Sequence, residues 1–463
     1  MTLLPTPLSA LVHKGVRRTL FGMAFPMLAG TFAMNAYNLT DTWFVSRLGT
    51  LPLAAMGFTF PVVMLLTCVA GGLGTGITTL VSHAIGRHAH EEAKRIVTHG
   101  FALTMAVSLL ISIAGYFSID GVFIRLGADA EVLPLVGDYM RIWYFGAVTM
   151  AMPMIGNGIL ISTGDSKSAS LLMILGMALN VILDPIMIFG CWGVPAMGIR
   201  GAALATVLSQ SVSVAGLFYL LYRKYHLLGA VQGWAQGHFL ATARQILGFG
   251  IPAILSMILM PVSAAVITRL LGSFGNEVVA AAGAAARIEM FAFVVPMALG
   301  ISLTPFISQN FGANRLDRIR EAMTVSTRFA LIYGAGIAVL FFVGARWLAG
   351  LFSTDPQVVD TLVDYVRIIS FGYGMMEVHR YCGFALTGLH KPVQTTLLNV
   401  IRVLVLLIPL SWLGARWYGV QGVFAGRLLT DLTVGSIGLA WVRWTLRAPV
   451  AVGNLDSVLN KTS

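Results

Sequence analysis

LFGMAFPMLAGTFAMNAYNLTDTWFVSRL, residues 20–48, is an apolar run that carries one acid, Asp41, and one proline, Pro26. Its length is enough to cross about 30 Å of hydrocarbon as a helix. At 3.6 residues per turn, Tyr37, Met34, Gly30 and Pro26 lie on the same face as Asp41, within about one third of a turn of each other. One face therefore holds an acid, an aromatic ring, a methionine and a bend. A carboxylate at such depth costs roughly 2.5–3.5 kcal/mol on the insertion scale, which favours a functional role for Asp41 over simple pairing across a helix interface.

The rest of the chain has the same character. Of its 463 residues 57% are hydrophobic and only 11% charged, with a mean hydropathy of +0.83, against about 25% charged in soluble domains. An all-α polytopic membrane protein follows, with twelve transmembrane helices expected at 16–46, 52–80, 95–118, 132–158, 167–190, 200–222, 244–271, 278–308, 322–346, 358–387, 393–414 and 420–446. The net charge of +11 does not indicate nucleic acid, because the basic residues gather in alternate loops. Lys14, Arg17 and Arg18 precede the first span, Arg87, Lys94 and Arg95 follow the second, Arg223 and Lys224 the sixth, and Arg315, Arg318 and Arg320 the eighth. The positive-inside rule then expects both termini in the cytoplasm of a cell whose inner membrane the chain crosses many times. The weakly apolar stretch ahead of the first basic cluster is not expected to act as a cleavable signal. Cys68, Cys191 and Cys382 show neither metal-ligand nor disulfide spacing.

The two halves echo each other. Pro26 and Pro252, Gly57 and Gly283, Gly74 and Gly300, Ser82 and Ser308, and Gly86 and Gly312 are each 226 residues apart, while Thr163–Gly164 recurs as Thr387–Gly388 and Pro185 as Pro409 at a spacing of 224. Two six-helix units in tandem keep the same orientation, related by a pseudo-two-fold axis along the membrane normal. The expected division is an N-terminal lobe at 1–222, a cytoplasmic linker at 223–243, a C-terminal lobe at 244–446 and a tail at 447–463. Most of the 50 glycines serve close helix packing.

The fifth span repeats the pattern of the first: Met173, Met177, Asn180 and Asp184 share one helical face, and Thr206 follows in the sixth. Two acids with an amide and a hydroxyl nearby make an oxygen-rich pocket suited to a proton or a small hard cation. By the sequence offsets their second-lobe counterparts are Ile267 for Asp41, Leu404 for Asn180, Ile408 for Asp184 and Arg427 for Thr206. Groups that only held helices together would be kept in both lobes, so this confinement favours an ion site in the first. Met34, Met64, Met173 and Met177 suit either core filling or an adaptable cavity wall, with Tyr37 and Asn157 as hydrogen-bonding partners there. The second lobe has mixed charges, Arg287, Glu289, Glu377, His379, Arg380, Arg402 and Asp431, for which mutual neutralisation is the first reading and ion coupling at Glu377 or Glu289 the second.

The stretch FPMLAGTFAMNAYNLTDTWFVSRLG, the LNVILDP of the fifth span, the GIRGAALAT of the sixth and the doubled lobe together resemble the multidrug and toxic compound extrusion (MATE) family, in its prokaryotic DNA-damage-inducible F-like branch. That resemblance implies a V-shaped exporter that exchanges an inward proton, or alternatively sodium, for an outgoing cationic or amphipathic drug, without a cofactor. It implies a cation site at Asp41, Asn180, Asp184 and Thr206, a bend of the first helix at Pro26, and a drug cavity that includes Tyr37 and Asn157. The expected partners are small-molecule drugs and membrane lipid, with no nucleic acid, and the expected state is a monomer. The rival is a lipid or oligosaccharide flippase of related architecture, which calls for arginines facing the cavity. No metal-protease, diphosphate or Ser/His motif points to an enzyme.

Overall fold

The computed structural model describes residues 10–229 and 238–447; positions 230–237 of the expected linker, and the expected tail from 448 onward, lie outside the described residues. Every regular element among the described residues is helical. The spans are α1 (Val16–Ser46), α2 (Thr50–Gly86), α3 (His90–Arg125), α4 (Leu133–Phe145 and Ala147–Ser162), α5 (Ser166–Phe189) and α6 (Ile199–Tyr219, extended by a wider turn over Leu220–Lys224). The second lobe has α7 (His238–Gly272), α8 (Asn276–Gly312), α9 (Leu316–Gly350), α10 (Pro356–Ile369 and Tyr373–Gly388), α11 (residues 392–417) and α12 (residues 420–447). The twelve spans overlap the twelve expected from hydropathy, most of them longer by several residues because their ends run past the apolar stretch.

Glycines break the chain where one helix must turn. α4 bends by 53° at Gly146, where Val207 of α6 leaves no room for a Cβ. α11 and α12 are divided at Tyr418 and Gly419, and Gly419 has φ +59°, ψ −139°, almost the conformation of Gly198 before α6 at φ +57°, ψ −133°. A side chain is strained at such positive φ, so the same residue type recurs at both hairpins.

The repeat has one register that sequence matching misplaces. Thr163–Gly164 resembles Thr387–Gly388, but the left-handed residue before the fifth helix of each lobe is Gly164 (φ +84°) in one and His390 (φ +62°) in the other. The bonds agree: Asp165 N–H donates to the Leu160 carbonyl and Lys391 N–H to that of Leu386. The spacing of 226 therefore continues through this turn.

The core explains the V. One apolar cluster at the end bearing the N-terminus joins both lobes, including Leu20, Ile77 and Ile159 with Leu303, Phe306 and Leu386. Toward the other end it gives way to separate clusters, one around Phe123, Met140 and Trp143 in the first lobe and one around Ile288, Leu362 and Phe424 in the second. The seam between the lobes is built on missing side chains. Gly72 and Gly76 of α2 lie against the backbone of α7 at Gly250 and Ile246; Gly86 meets the Gln309 carbonyl, and reciprocally Gly312 meets the His83 carbonyl. Ser308 donates to the Thr79 carbonyl at 2.7 Å, and Gln309 to that of Ser162.

Gly86→Ala drives a methyl into the Gln309 carbonyl and is expected to lower stability by about 1–3 kcal/mol, the usual range for overpacking. Gly57→Ala, with nothing within 4 Å of the added atom, is expected to be neutral or stabilising. Thermal unfolding of the two variants in detergent checks this, and equal melting points would contradict it.

Candidate functional site

α1 and α5 lie side by side, and their closeness follows from what the facing residues lack. At Gly30 a Cβ would stand 3.0 Å from Met173 Sδ and 3.1 Å from Ser170 Oγ. One turn earlier Ser170 Oγ donates to the Pro26 carbonyl at 2.5 Å. The second lobe has the same clasp, Thr396 Oγ1 donating to the Pro252 carbonyl at 2.7 Å. α1 runs as one helix from Val16 to Ser46 with Pro26 inside it. The start of α5 is fixed by Asp165, which caps it through the Ser168 N–H at 2.9 Å and receives Lys224 Nζ at 2.7 Å and the Tyr225 hydroxyl at 2.5 Å. Burial pushes this carboxyl up, but the bonds from Lys224, Ser168 and Tyr225 outweigh it and hold it well below the usual carboxylate range.

Beyond the clasp the polar residues of α1, α5 and α6 converge. Asn180 Nδ2 donates to Asp184 Oδ1 at 3.2 Å and to Thr206 Oγ1 at 3.4 Å, and the Tyr37 hydroxyl donates to Thr206 Oγ1 at 3.0 Å. Asp41 is within electrostatic reach of Asp184. Asn180 and Asp184 are fully buried, and Thr206 and Asp41 nearly so. Three oxygens, Asp41 Oδ1, Asn180 Oδ1 and Asp184 Oδ2, are buried without a hydrogen-bond partner among the described residues. No basic side chain among the described residues forms an ion pair with either acid. Such a set of oxygens is chemically suited to a proton or a small hard cation.

The other expected residues are more dispersed. Met173 packs on Gly30, and Met177 is half-buried on the same helix. Met34 is 47% exposed, while Met64 and Asn157 are half-buried and Asn157 makes no hydrogen bond among the described residues. Tyr139 of α4 was not expected: it is buried and lies in the field of Asp41, Tyr37 and Asp184. It is one aromatic among several in DYMRIWYF, with no spacing to mark it.

The second lobe arranges its charges in the opposite way. Arg427 Nη2 donates to both oxygens of Glu289 at 2.8 and 2.9 Å, and the Tyr365 and Tyr373 hydroxyls also donate to that carboxylate. Arg402 bonds to Asp431 at 3.1 Å. Arg380 stands 3.0 Å from Glu377, although neither Glu377 oxygen has a partner in hydrogen-bond geometry. His379 Nε2 meets Asn399 Oδ1 at 3.1 Å. Arg287 donates to the Gly283 carbonyl of its own helix. Arg427→Leu leaves Glu289 buried without its cation and is expected to cost about 3–5 kcal/mol, most of which Glu289→Gln in the same chain restores. Unfolding measurements decide this; a single variant as stable as its parent would contradict it.

Comparison with known proteins agrees with this fold. The MatE family model matches twice, over residues 26–186 and 252–413, once in each lobe. A protein of Shewanella oneidensis named FAD transporter is 34% identical over 97% of this chain and 99% of its own length. The multidrug export protein MepA of Staphylococcus haemolyticus is 24% identical over 95% of this chain and 96% of its own. Among solved structures, the Vibrio cholerae MATE transporter VcmN in its bent form superimposes with a TM-score of 0.88 at 30% identity, covering 96% of this chain and 98% of that one. With both lobes matched by the family model and the V-shaped twelve-helix fold in place, the chain belongs to the MATE family of transporters.

Proposed function

We propose that this transporter is a secondary-active efflux antiporter of the inner membrane, both termini cytoplasmic, that exports cationic amphipathic compounds in exchange for inward protons. The observation that carries this reading is the pair of buried acids, Asp41 and Asp184, with unpartnered oxygens and no basic partner among the described residues. Two like charges held together in low dielectric favour taking up a proton or a cation. Protonation removes one charge, releases Asn180 and Thr206 to re-pair, and lets α1 bend at Pro26, which collapses the first-lobe cavity and expels the drug. One charge moving through 100 mV supplies about 2.3 kcal/mol, enough for tens-fold accumulation. Sodium at Asp41, Asn180, Asp184 and Thr206 is the alternative coupling ion. The protein acts as a monomer without a cofactor.

The likeness to an FAD transporter at 34% identity favours a second cargo, a flavin dinucleotide. Against it, as against a phosphate-binding flippase, Arg380, Arg402 and Arg427 each face a carboxylate of their own.

Asp41→Asn and Asp184→Asn are each expected to abolish efflux while preserving membrane insertion and melting behaviour. Everted vesicles carrying a proton gradient, with and without sodium, and loaded in parallel with a fluorescent organic cation or with FAD, measure this. Full efflux by both variants would end the proposal. Transport that requires sodium and survives collapse of the proton gradient would reassign the ion, and FAD transport without cation transport would reassign the cargo.

A further inference from the structure

Ahead of α1, residues 10–14 form a short strap, one helical turn over Ala10–His13 followed by Lys14. The strap leads into the first lobe, but its backbone is held by the second. Arg318 of α9 donates from Nη2 to the carbonyls of Leu11 at 3.0 Å and Lys14 at 2.5 Å, and from Nε to Asn310 Oδ1 at 2.8 Å. Asn310 Nδ2 in turn donates to the Leu11 carbonyl at 3.3 Å. The Leu11 side chain, 2% exposed, packs beside Gly164 at the turn between α4 and α5. One residue thus has its side chain in the first lobe and its carbonyl in the second.

Both partners in this contact need each other. Arg318 is 8% exposed and forms no ion pair among the described residues; a buried guanidinium is tolerated only where its donors are met. The last carbonyls of a helical turn have no partner within it, so they are the acceptors to hand. The Phe306 ring lies 5.7 Å from the Arg318 guanidinium and adds an attraction for the cation. At the repeat spacing of 226, Asn310 and Arg318 correspond to Ala84 and Glu92, neither of which can donate to a carbonyl. The socket exists in one lobe only, where a strap from the other reaches it.

The seam closes at this same end, where Gly86 meets Gln309, Gly312 meets His83, and Ser308 and Gln309 bond across to Thr79 and Ser162. For the lobes to part here, the strap must leave Arg318 or leave Gly164. We propose that residues 10–14 are a latch between the lobes, with Arg318 and Asn310 as its catch, which holds the transporter closed at the end bearing the N-terminus. Releasing the strap strips a buried cation of two charge-assisted bonds, so the latch adds to the barrier against opening on this side. It stands on contacts separate from the Asp41–Asp184 site, and holds whichever ion drives the cycle.

The test uses the full chain in lipid nanodiscs, with Cys191 replaced by serine and spin labels at Glu91→Cys in the first lobe and Thr324→Cys in the second, both exposed positions. Electron–electron resonance then reads the distance between the lobes at this end. Arg318→Gln is expected to raise the ratio of open to closed populations about tenfold, the scale set by hydrogen bonds to a charged group. Arg318→Lys should keep part of the closure, and Asn310→Ala and Leu11→Ala should shift the ratio in the same direction by less. Unchanged distances in Arg318→Gln with an unchanged melting point would overturn the latch. A lowered melting point with unchanged distances in all four variants would also overturn it, showing that Arg318 only packs. Should Arg318→Gln fail to fold, Asn310→Ala and Leu11→Ala decide alone, and no shift in either rejects the proposal.

Discussion

Two buried carboxylates within electrostatic reach of each other, neither paired with a cation among the described residues, are the costly feature around which the rest of this molecule is organised. Low dielectric makes each ion expensive and their nearness more so. The second lobe shows the ordinary solution, since Glu289 and Asp431 are bonded to arginines and Glu377 lies beside one. The first lobe instead leaves oxygens of Asp41, Asn180 and Asp184 unsatisfied. The two lobes share a backbone plan, yet their buried acids sit on different helices: the unneutralised pair on the first and fifth helices of one lobe, those facing arginines on the second, fourth and sixth of the other.

The architecture makes that pair movable. α1 and α5 carry one acid each, touch at Gly30, and are clasped where Ser170 meets the Pro26 carbonyl. A change of charge at one end of this contact therefore acts on a helix that is held at the other. The lobes meet on an apolar core continuous at one end and divided at the other, with backbone contacts at Gly86 and Gly312 across the seam. A seam of glycines against carbonyls packs closely when shut and has few side chains to disentangle when it opens.

Much of this was legible in the sequence because membrane solvent imposes long apolar runs and a polar residue within one is conspicuous. Asp41, Asn180, Asp184 and Thr206 could be seen on their spans, and the doubled Pro, Gly and Ser positions gave the two lobes. What resisted reading depends on tertiary contact. The echo of Thr163–Gly164 in Thr387–Gly388 was misleading because identical letters can occupy different turn positions, and backbone conformation places Gly164 opposite His390. Ser170 and Thr396 gain their role only from the proline carbonyls they face, Tyr139 only from its approach to α1 and α5, and Arg318 only from a strap some three hundred residues earlier in the chain. None of these has a local pattern, since a hydrogen bond to a carbonyl can be made by many side chains at many spacings.

If the first-lobe acids hold a proton that cargo displaces, binding must release it. Proton release by the purified, full-length protein in weakly buffered detergent, followed with a pH-sensitive dye as a cationic substrate is added, reads this without a transport assay. Release from the parent chain is expected to saturate with binding and to disappear in the Asp41→Asn, Asp184→Asn double variant. Equal release from both, or saturating binding to the parent with no proton released, would contradict it.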